Sequence, residues 1–339
     1  MHVTLPIPEY VPNFIDGREH PARDGQTLRN LNPATGAELC TVARSVEVDV
    51  ASAVSAARRA QPEWAAMTPV ARGDLLREAA LLMRERREQF AEIVSLETGK
   101  SRKDALGETG AAVEMGLFVA GEGRRFYGKT TTSAVPHRTA LVVRQPLGVA
   151  GLIIAANTPV ANVAWKAYPA LLCGNAAVMK ASEDTPATAW AVAKVFDEVG
   201  IPPGVFNVVQ GFGAEAGAPL VEHPDVDLIS FTGSCGVGRQ IQATAGARLA
   251  KVCMELGGKN PLIICDDADL DRAVTAAALS AFSNAGQRCA SGSRLIVFDG
   301  VYDRVKERLL EYTRGLKLGS GDGDDLGPVI NQGQLDNMV

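Results

Sequence analysis

A chain of 339 residues, 46% of them apolar, holds enough hydrophobic material for one large or two ordinary cores, which excludes global disorder. Its 34 basic and 39 acidic residues are mixed along the chain with no basic stripe to follow a phosphate backbone, so nucleic acid is not expected as a partner. Six cysteines without a CxxC pair and four histidines without ligand spacing predict no metal site and reduced thiols in a cytoplasmic setting.

The opening MHVTLPIPEYVPNFIDG has neither the basic start nor the apolar core of a secretory signal. Residues 45–65 and 68–97 read as helices. In the second, Thr68-Pro69 forms an N-cap and first-turn pair, and Leu75, Ala79, Leu82, Met83, Phe90 and Ile93 fall largely on one face. RERRE (84–88) is its solvated side. From 124 to 146 the chain turns rich in Thr and β-branched residues around Val135-Pro136-His137, predicting a hairpin that leaves the main body, either a self-association arm or a plain surface hairpin.

Residues 145–165 carry no formal charge, but Pro146, Asn157, Pro159 and Asn162 interrupt them and Lys166 follows, so a buried strand, a turn and a helix are predicted rather than a membrane span. Strand-length apolar runs then alternate with helices: GVAGLII, NAAVMK, VFNVV and DLISF, followed by helices near 160–172, at 186–199, from about 213 and from about 236. Strands apolar on both faces, each followed by a helix, predict an α/β fold with a parallel sheet covered on both sides, whose ligands sit at the carboxyl ends of its strands. A second α/β series begins near Gly257 with NPLIICDDADL, a helix over 269–285, RLIVF and a helix over 301–315.

Chemistry-bearing residues cluster at strand ends. GFGAEAG (211–217) and FTGSCGVG (231–238) place glycines where backbone approaches a phosphate or simply turns into a helix. In VMKASED (178–184), Lys180 and Glu183 suit ribose hydroxyls or form a solvated pair. In KVCMELGGKNP (251–261), Glu255 at a semi-buried strand end suits a general base, or caps a turn. In NAGQRCASGSR (284–294), Cys289 is a nucleophile or a packed thiol; a free thiol is only a few per cent ionised at neutral pH and needs a local group to favour the anion.

Read in order, ASED after Lys180, FTGSCGVG, MELGGKNP, GQRCASGSR and DLGPVIN (325–331) resemble the aldehyde dehydrogenase superfamily, of the NAD(P)-dependent, non-acylating type, and the similarity runs from about Asn13 to the end of the chain. The resemblance implies a Rossmann-like NAD-binding domain from residues 1–123 and 147–256, a bridging and oligomerisation hairpin at 124–146, and the start of a catalytic domain over 257–339. It also implies that Cys289 adds to the carbon of an aldehyde substrate, that Asn157 and the Cys289 backbone N–H hold the oxyanion, and that Glu255 activates water to release the acid. Lys180 and Glu183 match contacts to the adenine ribose, and Gly213, Gly233, Ser234, Gly238 and Leu256 match the remaining cofactor turns. A carboxylate on the ribose hydroxyls repels a 2′-phosphate, so NAD is expected over NADP. The implied assembly is a homodimer or homotetramer.

Three departures stand out: Gly236 where the family has an acidic residue, Ala156 where it has an aromatic, and no E-x-F-G-P motif. The last implies a C-terminally truncated catalytic domain and weak or absent activity for this chain alone. Two other readings stay open: a CoA-acylating relative, and a catalytically silent nucleotide-binding or assembly partner.

Overall fold

The computed structural model of the protein describes residues 7–321 and 323–338, so the first six residues used in reading the N-terminus lie outside the described residues. The chain opens with β1 (Tyr10–Val11), β2 (Asn13–Ile15) and β3 (Arg18–His20). Asp16 and Gly17, both at positive φ, close the β2–β3 hairpin as the Asp-Gly pair of a tight two-residue turn does. β4 (Thr27–Leu31) and β5 (Glu38–Ala43) then join β1 in a three-stranded sheet of order β1-β5-β4.

Four helices follow: α1 (Glu47–Ala66), α2 (Pro69–Glu85), α3 (Arg87–Thr98) and α4 (Arg102–Glu122). As predicted, the Thr68 hydroxyl accepts the Ala71 N–H and Pro69 occupies the first turn. The single helix expected over 68–97 is instead two, broken at Arg86, whose backbone leaves helical geometry. Its guanidinium makes paired bonds of 2.7 Å to Glu198. α4 was not anticipated, because its glycines dilute the apolar stripe. Gly116 shows their use: a Cβ there would lie 2.8 Å from the Tyr168 ring, so the glycine lets α4 close on its neighbour.

β6 (Lys129–Thr132) and β7 (Thr139–Val142) form the predicted hairpin, antiparallel and exposed along its whole length. The alternating series comes next: β8 (Val149–Ile153), α5 (Pro159–Leu172), β9 (Ala176–Lys180), α6 (Pro186–Glu198) and β10 (Phe206–Val209). A π-helical turn at Gly213–Gly217 leads into the short α7 (Ala218–Glu222), then β11 (Leu228–Gly233), α8 (Cys235–Ala247) and β12 (Lys251–Leu256).

The sheet runs β12-β11-β8-β9-β10-β2-β3, with the first five strands parallel, as expected, and the β2–β3 hairpin added antiparallel at one edge. That hairpin supplies backbone partners to β10, which would otherwise be an open edge. Every residue of β8, β9 and β10 is buried. One face packs on a cluster containing Trp64, Leu76, Phe90, Tyr168 and Phe196, with Phe196 edge-on to both Tyr168 and Phe206. The other packs on Val50, Val54 and Leu220.

Beyond the sheet lie β13 (Asn260–Ile264), α9 (Leu270–Phe282), β14 (Gly292–Val297), α10 (Tyr302–Arg314) and α11 (Gln332–Asp336). β13 and β14 form a two-stranded parallel sheet with a small core of its own, including Ile264, Val274, Ala277, Val301 and Val305. Among the described residues no helix is long and apolar enough to cross a membrane.

Candidate active site

Strand order places the site. From β8 the chain winds through β9 to β10 on one side, then returns to the other side of β8 for β11 and β12. Connections leaving β8 and β11 therefore diverge, and a crevice opens at the carboxyl ends of these strands. Asn157 follows β8, Gly233 and Ser234 end β11, and Glu255 and Leu256 end β12; with Cys289 they line one cleft of about 490 Å³. The three predicted catalytic residues thus come together from segments more than 30 residues apart.

Cys289 is exposed at the mouth of this cleft. Its carbonyl accepts a 2.6 Å bond from Asn260 Nδ2, which also donates to Ser291 O and so ties the loop to the start of β13. Ahead of it, Asn284, Ala285 and Gly286 all adopt positive φ. Such a conformation is disfavoured for Ala and Asn and persists where surrounding bonds over-determine it. Those bonds are present: the buried Asn284 amide donates to the carbonyls of Asn157 and Gln287 at 2.9 and 3.3 Å.

The Asn157 amide donates one N–H to Gln287 O at 2.8 Å, and its second N–H has no protein acceptor among the described residues. It is therefore held by one hydrogen and free to offer the other to a group in the cleft. Glu255 lies opposite Thr232 in the β11–β12 ladder and is exposed, a correction to the semi-buried setting expected for it. It alternates with the half-buried Met254 and Leu256 because β12 is the edge strand, with one face of the pleat open.

Against β11 sits Lys166, which in the sequence only ends an uncharged run. The residue is 6% exposed and its ammonium donates to Ser230 Oγ at 2.9 Å. Burial pushes its pKa down to about 8, against the opposing pull of Cys253 and Glu255. The only sequence signal was a lysine inside an otherwise apolar helix.

The cofactor candidates divide into two groups. Gly233, Ser234 and Leu256 line the Cys289 cleft. Gly238 packs on Leu256, where a Cβ would lie 2.7 Å from the leucine, so its absence lets α8 approach β12. Ser234 caps α8, its hydroxyl accepting the Val237 N–H. Gly213 opens the π-helical turn and, like Gly236, faces open space.

Lys180 and Glu183 do not line the Cys289 cleft. The buried Lys180 Nζ pairs with Glu183 at 2.7 Å, and Glu183 lines an adjoining cleft of about 600 Å³ with Asn30, Asn32 and Pro33. Asp184, Ile330 and Asn331 border both clefts. No group of three or more potential metal ligands occurs among the described residues.

A family profile described as Aldehyde dehydrogenase family matches residues 20–339. The chain belongs to that family. The α-ketoglutaric semialdehyde dehydrogenase of Bacillus subtilis (strain 168) is 39% identical over 330 residues, covering 96% of this chain and 68% of the relative. The succinate-semialdehyde dehydrogenase [NADP(+)] GabD of Escherichia coli (strain K12) is 39% identical over 321 residues, covering 94% and 67%. The crystal structure of an E. coli NADP dependent enzyme superposes with a TM-score of 0.94 at 38% identity, covering 96% of this chain and 68% of that one. The chain thus spans about two thirds of the length of these members, and it shares with them the α/β fold of an oxidoreductase family that acts on the aldehyde group.

Proposed function

We propose that this chain encodes NAD-dependent oxidation of an aldehyde to a carboxylic acid through a thioester on Cys289. The observation that carries the reading is the meeting of Cys289, Asn157 and Glu255 in one cleft at the strand switch point. The Cys289 thiolate adds to the aldehyde carbon, and the charge that develops on oxygen is stabilised by the free N–H of Asn157 and the backbone N–H of Cys289. Glu255 takes a proton from water as it attacks the thioester carbonyl, and the acid leaves with the thiolate restored.

The residues present fit a nicotinamide dinucleotide. α8 begins at the strand switch point with Ser234 as its cap, and Gly213 and Gly236 leave open space where side chains would stand. When bound, the nicotinamide supplies the hydride acceptor. Gly233, Ser234, Gly238 and Leu256 shape the turns toward it, and Glu183, held by Lys180, would accept the ribose hydroxyls. A carboxylate there favours NAD over NADP, although two of the relatives above carry NADP in their names.

We assign residues 257–339 to a catalytic domain that faces the nucleotide sheet, and the exposed 124–146 arm to assembly into a homodimer or homotetramer. Leu141, Val142 and Val143 on that arm are all more than half exposed, which suits burial against another subunit. Six free thiols fit a reducing cytoplasm.

NADH formation tests the chemistry: the protein, as this chain and in a version extended to the length of its relatives, is mixed with NAD and a panel of aliphatic and aromatic aldehydes; the chain alone is expected to give little or no signal and the extended version a clear one that Cys289→Ala abolishes. Glu255→Gln is expected to retain a first-turnover burst and slow the steady state by about 100-fold or more. A rate untouched by Cys289→Ala overturns the mechanism. Acyl-CoA as the product when CoA is added would favour the acylating alternative, and dinucleotide binding without aldehyde-dependent protection of Cys289 from alkylation would favour a silent partner.

A further inference from the structure

One backbone carbonyl, that of Asn157, collects two side-chain donors from distant parts of the chain. Lys100 Nζ donates to it at 2.8 Å and Asn284 Nδ2 at 2.9 Å. Lys100 is 3% exposed and ion-paired to Glu108, itself 8% exposed, at the start of α4. The other oxygen of Glu108 accepts the N–H of Ala161 in the first turn of α5, just past Asn157. The Lys100–Glu108 pair therefore grips the segment carrying Asn157 at two points.

Two further contacts enclose this arrangement. Gly327, in the DLGPVIN stretch, packs directly on the backbone of Gly99 and Lys100, leaving no room for a side chain. Three residues on, the Ile330 N–H donates to Gln287 Oε1 at 3.1 Å, while the backbone carbonyl of that same Gln287 receives the Asn157 amide.

We propose that Lys100 is a positioning residue for the aldehyde reaction, fixing the Asn157 amide relative to Cys289 through the shared Asn157 carbonyl. The inference rests on the oxyanion reading of Asn157 given above. A buried lysine whose charge is matched by Glu108 can donate to that carbonyl without a free charge in the core. With both donors in place, the turn after β8 and the left-handed turn before Cys289 share one anchor. Loss of Lys100 leaves the carbonyl with Asn284 alone and Glu108 buried without its cation, so the amide and the sulfur drift relative to one another.

The test is a double-mutant cycle on the full chain, read as single-turnover NADH formation with NAD and propanal. Asn157→Ala is expected to slow it about 100-fold. Lys100→Met is expected to slow it about tenfold, with the KM for aldehyde changed less than threefold. In the Asn157→Ala background, Lys100→Met is expected to change the rate less than twofold, because the group through which it acts is gone.

The paired change Lys100→Met with Glu108→Leu removes both charges together and replaces the single variant in the cycle if that one does not fold. An equal penalty in both backgrounds, or no penalty in either, overturns the proposal. A normal rate in Asn157→Ala instead overturns the oxyanion reading and leaves the packing question to hydrogen exchange. There, Lys100→Met is expected to speed exchange at 155–158 and 284–291 with the strands β9 and β10 unchanged, and this readout decides even where no NADH forms. Unaltered exchange at 284–291, or uniform loosening of the whole chain, counts against Lys100 as a positioning residue.

Discussion

The two parallel sheets differ in how they are covered. β8, β9 and β10 are buried at every residue between helices on both faces, whereas β13 and β14 alternate, with α9 and α10 on one side and Ile263, Ile296 and Phe298 about half exposed on the other. A parallel sheet normally needs both faces covered, and a two-stranded sheet is marginal alone. The Cys289 segment is tied to the turn after β8 by the bonds between Asn284 and Asn157 and between Asn157 and Gln287, and to its own region by Asn260 to Cys289 and Gln287 to Ile330. Cys289 belongs to the lightly covered region and Asn157 follows the heavily covered β8, while Glu255 stands on the open edge strand β12.

Core truncation should expose this contrast most strongly. Phe196→Ala removes a ring that touches both Tyr168 and Phe206, and is expected to cost about 3–5 kcal/mol in urea unfolding. A loss below about 1 kcal/mol would show that the large core relaxes as freely as the small one.

Next in size is Lys166→Met. With a folded-state pKa near 8 against an ordinary 10.5, the buried ammonium carries its full desolvation penalty below pH 8. Between pH 8 and 10.5 the unfolded chain binds more protons than the folded one, so wild-type stability climbs with pH and the penalty disappears above that window. Lys166→Met, which also loses the Ser230 bond, is expected to gain about 1–2 kcal/mol at pH 7 and nothing at pH 11. Denaturation midpoints across this range check the sign.

Glu97 provides the opposite slope. Burial raises its carboxyl to about 8, against the lowering effect of bonds from Thr188 and the Ala187 N–H. The folded state then binds the extra proton between pH 4.5 and 8, so this group makes stability fall as pH rises through that window. Glu97→Gln is expected to flatten the fall; an unchanged slope would locate the titration elsewhere. The smallest effect belongs to the open sheet: Ile296→Thr is expected within about 0.5 kcal/mol of wild type, since its side chain is 49% exposed.

The alternating strands from β8 to β11 were legible because residues apolar on both faces have few other homes. The β1-β5-β4 sheet was not, since strands of two to six residues with exposed positions carry little pattern. Cys289, Glu255 and Asn157 stood out through their motifs and their order. Lys100 and Glu108 did not, because a Lys and a Glu eight residues apart look solvated until both are seen buried.

By itself, then, the sequence determined the family, the parallel sheet and the candidate residues for the proposed chemistry, because these depend on local apolar pattern and residue type. The tertiary structure decided that Glu255 is open to solvent, that Glu183, paired with Lys180, lines a neighbouring cleft, and that one carbonyl accepts from two distant side chains. Each of these depends on which distant segments pack together, and so on contacts that no local stretch of residues encodes.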